Sequence, residues 1–421
     1  MKLVHRVCLT VFCAAACSTA AVVSSSVEDA GVVGGDASVQ TDSKVTPLDA
    51  TSDASISTCL GGEFGKVDYS WPIALNNNNP GNGALAATPR GVAGAQLVAC
   101  PVLGYDIPDG FGEFALDGGV GKICTTYFAR SATRALAHVS SSSGADKFLA
   151  AISGESARNL ALYSVIGDGS SPQNPIGFTD AGGAQEFYAN AMVADGAGVH
   201  IASESSKLPS HGVALSYSDG SLIKVDYEDA AMKSYLAVAV APSGTYYAGE
   251  AVNGHVGIRR LTAKGEVDVS FGNGGFVDVA QTGAAGALVV DPAGRVIFSA
   301  TSPTGTIFVG RLTVAGELDA TFGGGRVDLQ MGTNFEERIG MVIAPDGNVV
   351  VGGLSPDEAG APSTVRLAQI APDAAVNMVS LSGSENADPA NRVALARDSA
   401  CGYLYAVALG GKNTVLRRVH W

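Results

Sequence analysis

The sequence is poor in charged and aromatic residues, which make up 16% and 7% of its 421 residues. It lacks the long Leu, Glu and Lys segments that are typical of helical proteins, which argues against a helical fold. It also contains no run of about 18 apolar residues, so it predicts no transmembrane helix. Gly-x-Ser-x-Gly elbows, Walker loops and dinucleotide-binding fingerprints are missing too, so no linear motif identifies a catalytic residue.

Glycine is abundant instead, with 54 residues, and the apolar segments are short and rich in Val, Ala, Ile and Tyr. Because β-branched and aromatic residues favour strands, this composition predicts one large all-β domain rather than two or three domains. The net charge of −14 would repel a phosphate backbone, so we predict no nucleic-acid partner.

The N-terminus has the pattern of a secretory signal. Residues 1–6 are basic, residues 7–16 are apolar and end in three alanines, and Cys17 follows. This ending resembles the lipobox of bacterial lipoproteins, in which the cysteine is lipidated, although Ala14 stands where the lipobox has Leu. We predict a signal peptide at residues 1–17 with lipidation of Cys17, and plain signal-peptidase cleavage nearby is the alternative. The protein would then be exported and held at the outer membrane or cell surface by the lipid anchor only, or otherwise be periplasmic or secreted.

Residues 18–57 are dominated by Ser, Thr, Ala, Asp and Gly and contain no aromatic residue. Such a segment buries too little apolar area to offset the conformational entropy of the chain. We therefore predict a disordered tether over residues 18–57, followed by a folded domain at residues 58–421.

One segment occurs twice in nearly the same form. GEVDVSFGNGGFVDV begins at Gly265, and GELDATFGGGRVDL begins at Gly316, 51 residues later. Upstream of each copy an apolar run, a turn with a glycine and a second apolar run recur. Extending this register in both directions gives seven turn glycines at intervals of 46 to 55 residues: Gly91, Gly144, Gly198, Gly244, Gly294, Gly347 and Gly402.

One period of about 50 residues has room for four short strands and shows no amphipathic helix. In residues 286–329 the four runs are GALVV, RVIFSA, TIFVGRLT and RVDL. Four antiparallel strands repeated radially form the blades of a β-propeller. We therefore predict an all-β propeller of seven four-stranded blades, with eight or six as the alternatives if the first copy is misread.

The two ends of the domain complete each other in this interpretation. The chain ends in NTVLRRVHW, which matches the third strand of a blade, whereas GGEFGKVDYS near the start of the domain matches a fourth strand. We predict that residues 60–70 supply the outer strand of the last blade. This pairing would close the ring and leave no free sheet edge.

Three of the seven cysteines, Cys8, Cys13 and Cys17, lie in or at the end of the signal, and four remain in the domain: Cys59, Cys100, Cys124 and Cys401. In an oxidising compartment an even number predicts disulfides, and three pairings are open. We favour Cys59–Cys401, which would reinforce ring closure, together with Cys100–Cys124 inside the first blade. No Cys-x-x-Cys pair or histidine cluster accompanies them, so we predict no metal site and no cofactor there.

The two repeated segments, with Arg-Leu before them and DPAGR or PDGN after them, resemble the delta-60 repeat, a domain of about one propeller blade found in predicted secreted bacterial proteins. The resemblance is specific over residues 235–375, fair over 60–70 and 375–421, and loose over 80–230. It implies a propeller and an exported setting. It implies no catalytic residues.

Residues that recur with the repeat are interpreted as structural. Four acids recur, and we expect them to cap turns or accept hydrogen bonds at strand ends: Asp268, Asp278, Asp319 and Asp328. Phe271 and Phe322 are expected in the core between blades. Arg260 and Arg311 are expected to pair with the recurring acids.

Features outside the repeat are better candidates for function. YDIPDGFGEFALDGG at residues 105–119 gathers four acids whose oxygens would suit Ca²⁺: Asp106, Asp109, Glu113 and Asp117. It lacks EF-hand spacing, so we favour a solvated loop over a calcium site. Polar segments at residues 74–83 and 166–177 are candidates for a binding rim, although we favour plain exposed loops for both. The scattered histidines are interpreted as structural or surface residues: His138, His200, His211, His255 and His420.

Together these features predict a non-catalytic, lipid-anchored propeller that binds a protein or glycan at the bacterial cell envelope. The alternative is a propeller enzyme, a hydrolase, lyase or quinone-dependent dehydrogenase, because catalytic groups from different blades leave no linear motif. A purely architectural envelope component is the third option.

Overall fold

The computed structural model describes residues 84–88, 91–102, 105–115, 120–124, 131–139, 147–154, 161–166, 187–195, 198–205, 209–218, 223–332, 339–344, 346–354, 364–381, 392–397, 404–409 and 415–420. These residues form 26 β-strands and a 3-10 turn at Gly323–Gly325, as the all-β prediction requires. Among them, no helix has the length and apolar character needed to cross a membrane.

The strands form antiparallel meanders in which each strand pairs with its neighbours in the chain. Sheet 1 contains β1 (Ala84–Thr88), β2 (Gly91–Val102), β3 (Tyr105–Ala115) and β4 (Val120–Cys124). Sheet 2 contains β5 (Ser131–Val139), β6 (Lys147–Gly154) and β7 (Ala161–Ile166). Sheet 3 contains β8 (Phe187–Ala194), β9 (Val199–Ser205), β10 (Gly212–Tyr217) and β11 (Lys224–Asp229).

The strongest copies of the repeat form the next sheets. Sheet 4 contains β12 (Met232–Ala241), β13 (Gly244–Ala251), β14 (His255–Leu261) and β15 (Phe276–Thr282). Sheet 5 contains β16 (Ala284–Val290), β17 (Val296–Thr301), β18 (Thr306–Leu312) and β19 (Arg326–Gly332). Sheet 6 contains β20 (Gly340–Ile343), β21 (Val349–Leu354), β22 (Val365–Ile370) and β23 (Val376–Ser380), and a single pair, Gly332 with Leu354, joins it to sheet 5. Sheet 7 contains β24 (Arg392–Arg397), β25 (Leu404–Leu409) and β26 (Val415–Val419).

The turn glycines mark this architecture correctly. In chain order, each of the seven either falls between the first and second strands of a sheet or is the first residue of the second strand. Gly294 and Gly347 show the reason, because their φ angles of 81° and 85° fall in the left-handed region that favours glycine. The four runs expected within residues 286–329 correspond to β16, β17, β18 and β19.

The hydrophobic cores lie between successive sheets. Between sheets 4 and 5, Tyr246, Ile258 and Phe271 pack with Phe298 and Phe308. Separate clusters occupy the spaces between sheets 2 and 3, 3 and 4, 5 and 6, and 6 and 7. Sheets 3, 4, 5 and 6 therefore each have a hydrophobic core on both faces, which explains why many of their strands are mostly apolar.

The first strands of successive sheets also lie side by side. β1 contacts β5, β5 contacts β8, and the series continues through β12, β16 and β20 to β24. β24 in turn contacts β1. Four-stranded meanders that pack face to face, with their first strands adjacent, have the architecture of propeller blades.

Candidate functional site

The recurring arginine of sheet 4 lies at the end of β14 and reaches into sheet 5. The Nε atom of Arg260 is 2.9 Å from Oδ2 of Asp268, and its Nη2 donates to Oγ of Ser270 at 2.6 Å. Its Nη1 donates to the carbonyl of Val314 in sheet 5 at 3.1 Å. The guanidinium also stacks on Phe271, 4.8 Å from the ring centre. We call this arrangement an arginine corner.

Sheet 5 repeats the arginine corner towards sheet 6. Arg311 donates from Nε to Oδ2 of Asp319 at 2.8 Å and from Nη2 to Oγ1 of Thr321 at 2.9 Å. Its Nη1 donates to the carbonyl of Pro372 in sheet 6 at 2.7 Å, and its guanidinium lies 4.6 Å from the ring centre of Phe322. The expected arginine–acid pairs and the expected burial of the two phenylalanines are confirmed.

The corner acids also cap the following turn. The amides of Ser270 and Thr321 donate to Oδ1 of Asp268 and Asp319 at 3.1 and 3.0 Å. Hydrogen bonds from these Ser and Thr residues, with the nearby arginines, outweigh burial and hold the pKa of both aspartates below the ordinary value. Both carboxylates are therefore ionised at neutral pH, and their role is architectural.

The FGNGG segment between β14 and β15 is a turn, as expected, and not a phosphate-binding loop. The amide of Gly272 donates to the carbonyl of Ala315 in sheet 5 at 2.8 Å, so the segment is used to dock one sheet on the next. Gly275 has a φ angle of 87°, and a Cβ there would lie 2.3 Å from Cγ1 of Val267. The glycines are explained by backbone conformation and close packing.

A polar group of two exposed side chains, Asn253 and Asp278, and the partly exposed His255 lies at the opposite end of β14, and we call it the His255 cluster. Asn253 donates from Nδ2 to Oδ2 of Asp278 at 2.7 Å, while Nδ1 of His255 lies 2.9 Å from Oδ1 of the same carboxylate. The amide of Ala280 also donates to Oδ1 of Asp278, at 2.8 Å. The side chains of His255 and Asp278 are 31% and 37% exposed, so this cluster is open to solvent.

Asp278 supplies an ionised carboxylate to the His255 cluster at neutral pH. Burial raises the pKa of Asp278, but hydrogen bonds from Ala280, Asn253 and His255 outweigh it and hold the pKa below its ordinary value. Asp328, the equivalent acid of sheet 5, instead accepts from Nε of Arg326 at 2.8 Å. Both acids accept hydrogen bonds on the outer strand, as expected, but only Asp278 gathers a histidine and an asparagine.

A buried charged group between sheets 3 and 4, the Asp229 cluster, was not predicted from the sequence. Arg259 donates from Nε and Nη2 to the two carboxylate oxygens of Asp229 at 2.7 and 3.0 Å, and the hydroxyl of Tyr235 donates to Oδ2 at 2.7 Å. The guanidinium lies 4.8 Å from the ring centre of Phe276 and 5.5 Å from that of Tyr227. The side chains of Arg259 and Asp229 are only 8% and 2% exposed.

In the Asp229 cluster, which is closed to solvent, the arginine stays charged and the tyrosine stays neutral. Burial lowers the pKa of Arg259, but the hydrogen bonds and charge of Asp229 outweigh this effect and raise it. Burial, followed by the charge of Asp229, raises the pKa of Tyr235 well above its ordinary value, so this phenol stays protonated. One sequence signal could have identified the cluster, because sheet 5 has Gly310 at the position of Arg259. We assign the cluster to the packing of sheet 3 on sheet 4.

The acid-rich stretch at residues 105–119 was interpreted incorrectly as a solvated loop over most of its length. Tyr105–Ala115 is strand β3, which pairs with β2 on one side and β4 on the other. Asp106, Asp109 and Glu113 therefore lie on a strand, because pairing of this strand with β2, and of its second half also with β4, outweighs the polar character of the segment. Asp117 lies outside the described residues, and calcium binding by these acids stays a prediction.

The remaining predicted sites are only partly within the described residues. Cys100 lies on β2 and Cys124 on β4, two strands separated by β3. Their side chains are not described, so the pairing stays a prediction. The other predicted sites lie outside the described residues: Cys17, Cys59, Cys401, the closing strand at 60–70, the loop at 74–83 and the loop at 166–177 apart from Ile166, the last residue of β7.

Three histidines pair with carboxylates of their own sheets, as expected for structural or surface residues. Nε2 of His200 lies 3.2 Å from Asp195, and Nε2 of His211 lies 3.3 Å from Glu228. His255 pairs with Asp278 as described above. Within the described ranges, no three His, Cys, Asp or Glu side chains lie together as ligands for one metal ion.

Comparisons with known proteins bear on the fold. The structure is similar to a Kuenenia stuttgartiensis hydrazine synthase chain, with a TM-score of 0.51 and 14% identity, over 83% of this chain and 99% of that chain. At this identity the likeness shows the fold alone. The order of the sheets, their packing and this likeness agree on a β-propeller fold.

Two further solved structures resemble this chain more weakly. One is described as YCF48 bound to a D1 peptide, with a TM-score of 0.46, 12% identity and coverage of 85% of this chain and 98% of that one. The other is a Dos1 propeller, with a TM-score of 0.47, 10% identity and coverage of 81% and 93%. No protein-family profile matches the sequence, and no curated protein matches it either.

Proposed function

We propose that this protein is an exported, lipid-anchored β-propeller that acts as a non-catalytic binding scaffold at the bacterial cell envelope. The observation that carries the proposal is the His255 cluster, an exposed and preorganised polar group on a rigid frame. The frame is rigid because arginine corners connect sheet 4 to sheet 5 and sheet 5 to sheet 6. A site held in its binding geometry before the ligand arrives loses little entropy on binding.

The chemistry of the His255 cluster suits a polar ligand. Asp278 offers an ionised carboxylate, Asn253 an amide and His255 an imidazole, all within one exposed group. Such groups accept from and donate to sugar hydroxyls or polar groups of a protein. We therefore propose a protein or glycan of the cell envelope as the partner.

Binding of the full-length chain to immobilised envelope glycans and envelope proteins tests this site. The double variant Asn253→Ala/His255→Ala removes two members of the cluster, and we expect at least a ten-fold loss of affinity. The matched control is Lys264→Ala/Glu266→Ala, two exposed residues in the loop at the other end of β14, which should bind like the wild type. Equal binding by the cluster variant would exclude this site, and no binding by the wild type would exclude the scaffold proposal.

The alternative, a propeller enzyme with a site assembled from several blades, predicts a different result. A hydrolase or lyase would consume the immobilised glycan, and a quinone-dependent dehydrogenase would need its quinone for activity. The likeness to hydrazine synthase does not favour this alternative, because at 14% identity it concerns the fold alone. If the wild type consumes the glycan, and the cluster variant consumes it equally well, the enzyme alternative is correct and the scaffold proposal is wrong.

We also propose that the seven sheets are seven blades of one ring, closed when residues 60–70 pair with β26, and that the repeats belong to the delta-60 type. The adjacency of β24 and β1 and the match of β26 to the third strands β14 and β18 support closure. Deletion of residues 58–70 should sharply lower the melting temperature, whereas deletion of 13 residues from the tether, 25–37, should not. Equal melting temperatures would refute closure by this segment.

The lipid anchor is proposed from the signal and from Cys17. Metabolic labelling with a radioactive fatty acid should label the wild-type chain, and the label should be absent from Cys17→Ala. Cys8→Ala is the matched control, because it changes a cysteine inside the signal and should keep the label. Incorporation into Cys17→Ala would show that lipidation at this residue is wrong.

A further inference from the structure

Two hydroxyl groups are buried between sheets 5 and 6 without a hydrogen-bond partner. Ser299 is fully buried and Thr301 is 6% exposed, and within the described part of the chain neither hydroxyl oxygen has a protein partner. Both residues lie on β17, two positions apart, so their side chains point to the same face of the sheet. Ile297, on that same face, packs in the core between sheets 5 and 6, which places both hydroxyls in that space.

A β-bulge brings further polar groups to the same place. On β16 the register shifts between Ala285 and Ala287, which leaves Gly286 outside the ladder opposite Ser299. A Cβ added to Gly286 would lie 3.2 Å from the backbone nitrogen of Ile339, at the start of sheet 6. The bulged peptide opposite Ser299 therefore packs closely against the backbone of Ile339, just before β20.

The hydroxyl of Ser299 distinguishes sheet 5 from the other sheets with this bulge. Sheets 2, 3 and 4 have the same bulge on their first strands. On the second strand of each, the residue that pairs with the first residue after the bulge is an alanine: Ala151, Ala202 and Ala248. In sheet 5 the residue at this position is Ser299. An apolar residue fits the repeat here, so the repeat does not explain the serine.

Unpartnered buried hydroxyls are unfavourable, because their desolvation is not compensated. Internal water molecules commonly satisfy such groups and need two to four polar neighbours. A water that is about 2.8 Å from each hydroxyl can bridge oxygens up to about 5.6 Å apart, which is within reach of residues two positions apart on a strand. We propose that Ser299 and Thr301 form a binding site for one shared structural water that connects sheets 5 and 6.

Hydroxyl deletion in the full-length chain tests this proposal. Ser299→Ala and Thr301→Val each remove one ligand of the water, and each should raise the unfolding constant in urea about five-fold. Because both ligands hold the same water, the double variant should raise it by less than the product of the two effects. Ser203→Ala is the control, since Oγ of the buried Ser203 donates directly to the carbonyl of Val213 at 2.7 Å, and its effect should multiply with either variant.

Two outcomes overturn the proposal. Unchanged or lower unfolding constants for both single variants would show that the hydroxyls are dry, since removing an uncompensated polar group does not destabilise. If the two single-variant changes in the unfolding constant multiply fully in the double variant, the two hydroxyls have separate partners and share no water. A high-resolution crystal structure of the wild type is a test that does not depend on the folding of any variant. If it shows no water within hydrogen-bond distance of both hydroxyl oxygens, the proposal is wrong.

Discussion

Replacing Arg311 with methionine should destabilise the protein more than any exposed arginine substitution. Its guanidinium is almost fully buried and makes contacts with four groups: Asp319, Thr321, the carbonyl of Pro372 and the ring of Phe322. Methionine keeps an unbranched apolar side chain but removes every donor. The carbonyl of Pro372 then loses its charged partner, and the carboxylate of Asp319 keeps only the more distant Arg295, whose Nη1 lies 3.8 Å from Oδ2.

The size of the effect depends on which partners Asp319 keeps after the substitution. Removing one partner of a buried ion pair typically costs about 3–5 kcal/mol. Asp319 keeps the hydrogen bonds from the amide and hydroxyl of Thr321, at 3.0 and 2.6 Å, so its charge is only partly uncompensated. We therefore expect a loss at the lower end, about 3 kcal/mol in the free energy of unfolding.

Urea unfolding of the full-length chain, followed by circular dichroism, measures this loss. Arg366→Met is the matched control, because Arg366 makes a solvent-exposed hydrogen bond to the carbonyl of Gln330, and we expect a change within about 0.5 kcal/mol. Asp319→Asn and the double variant complete a cycle that isolates the ion pair. If Arg311→Met and Arg366→Met shift the midpoint equally, the arginine corner does not hold the sheets together and the reasoning is wrong.

Two further predictions concern the capping acids of the arginine corners and the left-handed turn that follows β14, β18 and β22. Asp268 and Asp319 have pKa values below those of the unfolded chain, so their stabilising contribution is present above about pH 4 and is lost as the pH falls through the folded pKa values. The free energy of unfolding should therefore depend less on pH in Asp319→Asn than in the wild type during acid unfolding. An identical pH profile would contradict this. Ala374 has a φ angle of 72° in the turn where Gly265 and Gly316 have 81° and 90°, so Ala374→Gly should raise the free energy of unfolding by about 1 kcal/mol. Gly316→Ala is the reverse control and should lower it by more, since the new Cβ would meet the nitrogen of Gly272 at 2.7 Å, and a loss of stability in Ala374→Gly would refute the strain argument.

Much of the fold was predictable because the repeat is local. Each strand run of sheet 5 could be identified from short apolar segments. Gly294 marked the first turn of sheet 5 and Gly347 the first turn of sheet 6, because left-handed backbone favours glycine. The pairing of Arg260 and Arg311 with acids was predictable for the same reason. Each acid follows its arginine by only eight residues, so the distance along the chain is short.

The candidate site was much less predictable. Asp278 was identified as a recurring acid and His255 as a scattered histidine, but nothing local indicated that they meet, since they are 23 residues apart on adjacent strands. The Asp229 cluster joins residues 30 apart in different sheets, and it was missed entirely. Register between strands and packing between sheets decide such contacts, and neither has a short sequence pattern.

Local sequence specifies the period, the positions of the turns and the residues that every copy needs, because these depend on backbone conformation and on neighbours within one blade. The folded structure sets which residues outside the repeat come together. It placed Tyr105–Ala115 in a sheet despite its acids, buried Arg259 against Asp229, and set Ser299 opposite a bulge. These outcomes depend on how one sheet meets the next, and that geometry is specified by long-range packing rather than by any local run of residues.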